Sequence, residues 1–183
     1  MGDPRRNRKS YSGPSHPWQK ARIEEEIALV KEYGLKNKKE VWRHVSALRG
    51  YAGRAKHLNA AAGKQEEKER QDLLNTLRAI GLLQENGKLE DVLTLHIKNI
   101  LDRRLQTVVY KKNLARSVGQ ARQFITHGHI VVGQRKQTTP SYIVRKGEEE
   151  QISFVQGSAL ADAGHPERMQ KPAEAKPAKQ EKP

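Results

Sequence analysis

The chain has 183 residues, a formal net charge of +14, and only 35% hydrophobic and 5% aromatic residues. Such a positive charge favours polyanionic partners: nucleic acid, an anionic membrane surface or an acidic protein. The lack of cysteine excludes disulfides, thiol nucleophiles and thiolate metal sites. Apolar runs are too short to span a bilayer, and the N-terminus lacks the apolar stretch of a secretory signal. We therefore expect a soluble intracellular protein.

The positive charge is concentrated in one segment. Residues 101–146 contain ten Lys and Arg residues against one acid, whereas residues 21–100 contain fifteen against twelve. A run of like charge is usually only a solvated face. Because this one covers a whole predicted folding unit, we interpret it as a binding surface for a polyanion.

The N-terminal half is predicted to be a basic arm followed by helices. The proline-rich arm, residues 1–17, should be extended, and disordered by itself. Apolar residues at helical spacing across residues 18–95 predict a helical domain. Its first helix should end at Gly34, its second should begin near Lys38, and its third should end at Gly81.

Residues 96–158 are predicted to form a small module of two helices packed on a short antiparallel sheet, which makes the fold class α+β. The first helix should run from about Ile97 to Lys111. Ser117 is a suitable N-cap for the second, and Gly128 a suitable stop. Strands are predicted at 129–132, 141–145 and 151–155. Residues 159–183 have the composition of a low-complexity, disordered tail.

The basic module is suited to binding phosphates. Lys and Arg release counterions from nucleic acid, and the first amides of the Ser117 helix form a natural phosphate site. Because Asp102 is the only acid in the segment, we expect Arg103, Arg104 or both to contact RNA, and we expect alanine at Arg104 and Arg122 to leave folding nearly intact. The candidate RNA-binding residues are Arg103, Arg104, Lys111, Lys112, Arg116, Ser117, Gln120, Arg122, Gln123, His127, Arg135 and Lys136.

Other functions fit the residues less well. A helix-turn-helix DNA reader would concentrate its cations on one recognition helix, but here they extend onto the preceding helix and the hairpin, which favours shape-and-phosphate recognition of folded RNA. His127 and His129 lack a third ligand, so we expect no metal. The chain has no recognisable catalytic motif, and we expect neither an enzyme nor a cofactor. The candidates for base stacking are Trp18, Trp42, Tyr51 and Tyr110, with helix packing favoured for Trp42.

Three segments carry a family resemblance. "LDRRLQTVVYKKNLARSVGQARQFITHGHIVV" at 101–132 resembles the RNA-binding module of the small-subunit ribosomal protein four family. "EYGLKNKKEVWR" at 32–43 resembles its archaeal and eukaryotic branch, and "GDPRRNRKSYSGPSHPW" at 2–18 looks archaeal.

The resemblance implies a structural protein of the cytoplasmic small ribosomal subunit that has no small-molecule substrate. Such a protein binds the five-prime domain of small-subunit ribosomal RNA, nucleates assembly, contacts neighbouring ribosomal proteins and influences translational accuracy. Because the same module also occurs in other RNA-binding proteins, a ribosome-biogenesis factor and an RNA-modifying enzyme remain alternatives.

Overall fold

The computed structural model describes residues 9–61, 63–162 and 164–167, and it has the α+β architecture predicted from the sequence. Within those residues no helix is both long and apolar enough to cross a membrane. The helices are α1 (Lys20–Glu32), α2 (Lys38–Ala60), α3 (Lys64–Ile80), α4 (Leu89–Leu93), α5 (Ile97–Asp102), α6 (Leu105–Lys111) and α7 (Val118–Thr126). The strands are β1 (Ile130–Val132), β2 (Arg135–Lys136) and β3 (Ile152–Phe154).

Glycines end the helices where the sequence predicted. Gly81 follows α3 with a φ of 80°, and its amide and that of Leu82 donate to carbonyls of the last turn, including that of Leu77. Gly34 and Gly128 also have positive φ, at 56° and 74°. A residue with a Cβ would be strained in this region, so glycine stops these helices cleanly.

The single helix predicted from Ile97 to Lys111 is wrong, because the chain breaks at Arg103 and Arg104. Arg104 is extended, with φ −69° and ψ 141°, and forms an isolated antiparallel bridge with Ile143. The Arg103 carbonyl accepts from the Val144 amide at 2.9 Å. These long-range bonds replace helical ones and turn the Arg104 side chain into the interior.

The sheet has the order β2-β1-β3, and both pairings are antiparallel. The predicted strands at 129–132 and 151–155 are confirmed. The predicted strand at 141–145 is wrong: within it only Ile143 makes a bridge, and that bridge goes to Arg104. One edge of β1 pairs with β3 and the other with the short strand β2, because Gly133, with a φ of 61°, allows a tight turn directly after β1.

Among the described residues, three clusters of buried side chains form the core. The first lies between α2, α3 and α4 and includes Leu58 and Leu77. The second is the module core, in which Val109 and Ile125 are completely buried. The third joins Leu101 of α5 to residues of the α1–α2 region, namely Tyr33, Leu35 and Val41. Because α5 packs on the N-terminal helices, the core of the module begins only at α6.

The two ends of the described chain pack on the fold. In the arm, the Ser12 amide donates to Ser46 Oγ at 3.0 Å, and the Tyr11 ring lies 6.2 Å from that of Trp42. The tail was predicted to begin at residue 159, yet Leu160 is buried in the module core. The apolar leucine explains why the order extends past the predicted boundary. The predicted disorder of residues 1–8 and 168–183 falls outside the described residues.

Candidate nucleic-acid interface

A buried ion-pair cluster holds the module on the helical domain. Arg104 is 1% exposed, and its Nη2 lies 2.7 Å from Glu40 Oε2 on α2. Its Nη1 lies 2.9 Å from Nε2 of His44, one turn further along α2. The other Glu40 oxygen accepts from Arg122 Nη2 at 3.1 Å and from the Lys36 amide at 3.3 Å. Glu40 therefore joins α2, α6 and α7.

The protonation states of the cluster follow from its burial. Burial would raise the pKa of Glu40, but hydrogen bonds from Arg122 and Arg104 outweigh it and hold that pKa below its ordinary value. Burial, and then the charge of Arg104, lower the pKa of His44 to about 4. Neutral His44 can accept the Arg104 hydrogen bond, so a charged carboxylate and a neutral imidazole share one guanidinium.

Arg104 is therefore removed from the candidate surface. The expectation that it contacts RNA rested on the shortage of acids within residues 101–146, but its partner Glu40 comes from α2. The expectation that replacing it leaves folding intact is withdrawn for the same reason. With both terminal nitrogens paired inside the protein, Arg104 is a structural residue.

Arg103 is also largely committed to contacts within the protein. Its guanidinium pairs with Glu149, and its Nη2 donates to the Val144 carbonyl at 3.0 Å. A Cβ at Gly81 would lie 3.1 Å from its Cζ, so the glycine after α3 leaves room for the arginine. Arg103 thus links the end of α3 to the loop before β3, with a side chain only 16% exposed.

Gln106 fixes the start of α7 against the turn that follows α1. It is completely buried, and its Nε2 donates to the Gly34 carbonyl at 3.0 Å and to the Val118 carbonyl at 2.9 Å. Glycine is favoured at position 34, because its φ is 56° and a Cβ there would lie in tight contact with this nitrogen, at 3.1 Å. Gln106 thereby joins the turn after α1 to the start of α7.

The start of α7 has the predicted N-cap, since Ser117 Oγ accepts from the Gln120 amide at 3.1 Å. The Gln120 side chain is engaged on both sides: its Oε1 accepts from the Arg116 amide at 2.7 Å and its Nε2 donates to Glu167 at 2.8 Å. The predicted role of Gln120 at an RNA surface therefore competes with a contact from the C-terminal segment.

The remaining candidates are wholly or partly exposed. Lys111 pairs with Asp102 at 3.1 Å, but both side chains are about half exposed. Arg122 keeps 26% exposure beside Glu40. Five candidates reach solvent to some extent and form no ion pair with an acid of the described residues: Lys112, Arg116, His127, Arg135 and Lys136. Gln123 is exposed on α7. We call these five residues together with Gln123 the module surface, which runs from the end of α6 along α7 to the β1–β2 hairpin.

The sequence alone missed the residues that orient this surface. Arg104 binds Glu40 and His44, which lie 64 and 60 residues away in the sequence. Gln106 binds the Gly34 carbonyl, which is 72 residues away. No local pattern marks such pairs. A polar residue on an otherwise apolar helix stripe, as at Gln106, is the one available signal. The exposed Lys36 and Lys39 beside Glu40 were also not among the candidates.

Comparison with known proteins agrees with the separation of the chain into N-terminal helices and a C-terminal module that begins near α6. Residues 103–150 match the S4 domain family, and the match begins at the break before α6. The chain is 52% identical to "Small ribosomal subunit protein uS4" of Ignicoccus hospitalis over 84% of this chain and 93% of that protein. The chain belongs to the uS4 family. Identity to the uS4 proteins of Methanocella arvoryzae and Methanothermobacter thermautotrophicus is 48% and 49%, over 87% of this chain and 82% and 94% of theirs. These uS4 relatives confirm the resemblance to the archaeal branch.

Proposed function

We propose that this protein is a structural component of the small ribosomal subunit and binds small-subunit ribosomal RNA through the module surface. The observation that carries the proposal is the near full-length similarity to proteins named small ribosomal subunit protein uS4. The S4 domain match covers the segment with the highest excess of positive charge. A cytoplasmic location in the ribosome and a non-enzymatic role follow from this assignment.

The surface fits a folded RNA better than a single groove. Its cations lie beside the ends of α6 and α7 and on the β1–β2 hairpin, and Glu40 and Gln106 hold the starts of α6 and α7 in one orientation against the N-terminal helices. Rigid placement lowers the entropic cost of binding, because few groups must be ordered on contact. Phosphate contacts supply affinity, and their fixed spacing supplies selectivity for one RNA shape.

The RNA target in our proposal is the five-prime domain of small-subunit ribosomal RNA. Binding there would nucleate assembly of the particle, and contacts with neighbouring ribosomal proteins would then give the protein its role in translational accuracy. The Arg and Lys residues of the module surface would carry the RNA contacts. The partly engaged Arg103, Arg122 and Gln120 would contribute less, because their bonds to acids must be shared or broken.

Co-sedimentation tests whether the protein remains in the mature particle. We expect it in stoichiometric amounts with mature small subunits washed in high salt. Recovery only with precursor particles would contradict the proposal and favour a biogenesis factor. RNA exposed to the protein should keep its mass and nucleoside composition, whereas any turnover would favour a modifying enzyme.

A matched pair of variants tests whether the module surface carries the binding. Alanine at Lys112, Arg116 and Arg135 should weaken RNA binding, and the slope of log K against log salt should fall by roughly 0.7–0.9 for each phosphate that is no longer neutralised. The control has alanine at the exposed Lys56, Lys64 and Lys68 of α2 and α3. Equal weakening in both variants would refute a specific role for this surface.

A further inference from the structure

Trp18 lies at the end of the arm and is 91% exposed, in contrast to the other tryptophan of the chain. Trp42 is partly buried, and its indole Nε1 donates to Glu26 Oε1 at 2.9 Å. Tryptophan is highly buried on average, and it is enriched at the points that dominate binding energy in interfaces. An indole projected into water therefore indicates a binding contact.

The backbone before Trp18 is held in place by hydrogen bonds. Arg22 Nη2 donates to two carbonyls, that of His16 at 3.1 Å and that of Pro17 at 2.8 Å. The other terminal nitrogen of the same guanidinium pairs with Glu26, which is 6% exposed and also binds Trp42. A partly buried network thus fixes the chain directly before the exposed indole. This arrangement presents Trp18 from an anchored position.

The charge next to Trp18 is positive. Residues 9–22 contain three Lys and Arg residues and no acid, but Arg22 is paired with Glu26, so the exposed Lys20 is the cation beside Trp18 that can face a partner. The first acid after Trp18 is Glu24, on the next turn of α1, where Lys20 Nζ lies 3.9 Å from its carboxylate. Both side chains of that pair are well exposed, at 89% and 64%, so the attraction is strongly screened by water. A nucleic acid supplies both a phosphate for the cation and a flat base for the indole.

We propose that Trp18 stacks on an unpaired base of small-subunit ribosomal RNA, while Lys20, two residues further along the chain, faces an adjoining phosphate. This inference rests on the proposed function and adds a second contact, carried by the N-terminal helical domain and separate from the module surface. Stacking on an aromatic side chain tolerates any base, because every base has a π-face. The contact therefore strengthens binding without reading a sequence.

Three substitutions at Trp18 distinguish stacking from other contacts. With the full chain and archaeal small-subunit ribosomal RNA, W18A should weaken binding about 5- to 150-fold, the range for removal of one base stack. W18F keeps an aromatic face and should recover most of the affinity. W18L keeps apolar volume without an aromatic face and should bind as weakly as W18A. Because the side chain is exposed, all three variants should melt at the wild-type temperature.

The binding results separate this inference from the proposed function. If the wild-type chain does not bind the RNA, the proposed function fails. If the wild-type chain binds tightly and W18A binds equally well, only the stacking contact is refuted. Recovery by W18L as complete as by W18F would also refute stacking, because it would indicate an apolar pocket, as on a neighbouring protein.

Fluorescence gives an independent readout of the same contact. In a W42F background, Trp18 is the sole tryptophan and should emit as a solvent-exposed indole. Saturating RNA should quench that emission, with the same concentration dependence as binding. Unchanged emission on saturation would overturn the proposal. If W42F fails to fold, the affinity series at Trp18 still decides, since it keeps Trp42.

Discussion

Replacing Glu40 with glutamine should strongly destabilise the protein. The variant leaves Arg104, 1% exposed, without its carboxylate partner. Removing one partner of a buried ion pair typically costs about 3–5 kcal/mol. Because the glutamine amide oxygen still accepts one hydrogen bond, we expect the lower end, about 3 kcal/mol. The bond to Arg122 adds little, since that side chain is 26% exposed and screened by water.

Equilibrium urea unfolding, followed by far-ultraviolet circular dichroism, measures this destabilisation. At an m-value of about 2 kcal/mol per molar urea, the midpoint of E40Q should fall by roughly 1.5 M. The control is E85Q, which removes an exposed carboxylate from the turn before α4 and should cost under about 0.5 kcal/mol. Equal midpoints for E40Q and E85Q would refute the view that the Glu40–Arg104 pair holds the C-terminal module on the N-terminal helices.

The same geometry predicts three further effects. The pKa of His44 is lowered to about 4 in the folded protein, so the unfolded chain binds a proton at higher pH, and stability should fall as the pH drops from about 6.5 to 4. A series of urea midpoints at different pH values measures this loss. In H44Q, which keeps an acceptor for Arg104, the dependence of the midpoint on pH should be smaller, and an unchanged dependence would contradict the assignment to His44. Q106L removes the donor to two partly buried carbonyls and should cost about 1–3 kcal/mol in the same unfolding assay, whereas a neutral result would show that the bonds contribute nothing. G81A should destabilise by about 1–3 kcal/mol because its φ is 80°, while G53A, in an open position within α2, should stabilise by roughly 0.5–1 kcal/mol; thermal melts with changes of the same sign would argue against these roles for the two glycines.

Local signals predicted much of the fold. The α7 helix was located from a capping serine, Ser117, and a stop at Gly128, both of which act within a few residues. The break before α6 could not be found this way, because the residues around Arg104 have good helical spacing. What breaks the helix is a bridge to Ile143 and a carboxylate on α2, and both are distant in sequence.

The sequence predicted only part of the candidate surface, because long-range contacts again could not be found from local signals. Charge counting identified the correct segment as cation-rich, but it could not tell a paired cation from a solvated one. Arg103 and Arg104 carry the same charge as Arg135, but they form ion pairs with Glu149 and Glu40, which lie outside residues 101–146. Pairing depends on tertiary contacts, so the individual role of each cation becomes clear only in the folded protein.

A binding titration with the five-prime domain of small-subunit ribosomal RNA is the sharpest test of the proposed function. It should be run at two salt concentrations with excess transfer RNA and duplex DNA as competitors. We predict tight binding that survives both competition and moderate salt, as expected of a rigid surface that fits one folded RNA. Binding that collapses equally with every competitor would contradict the proposal and leave only nonspecific attraction between cations and phosphates.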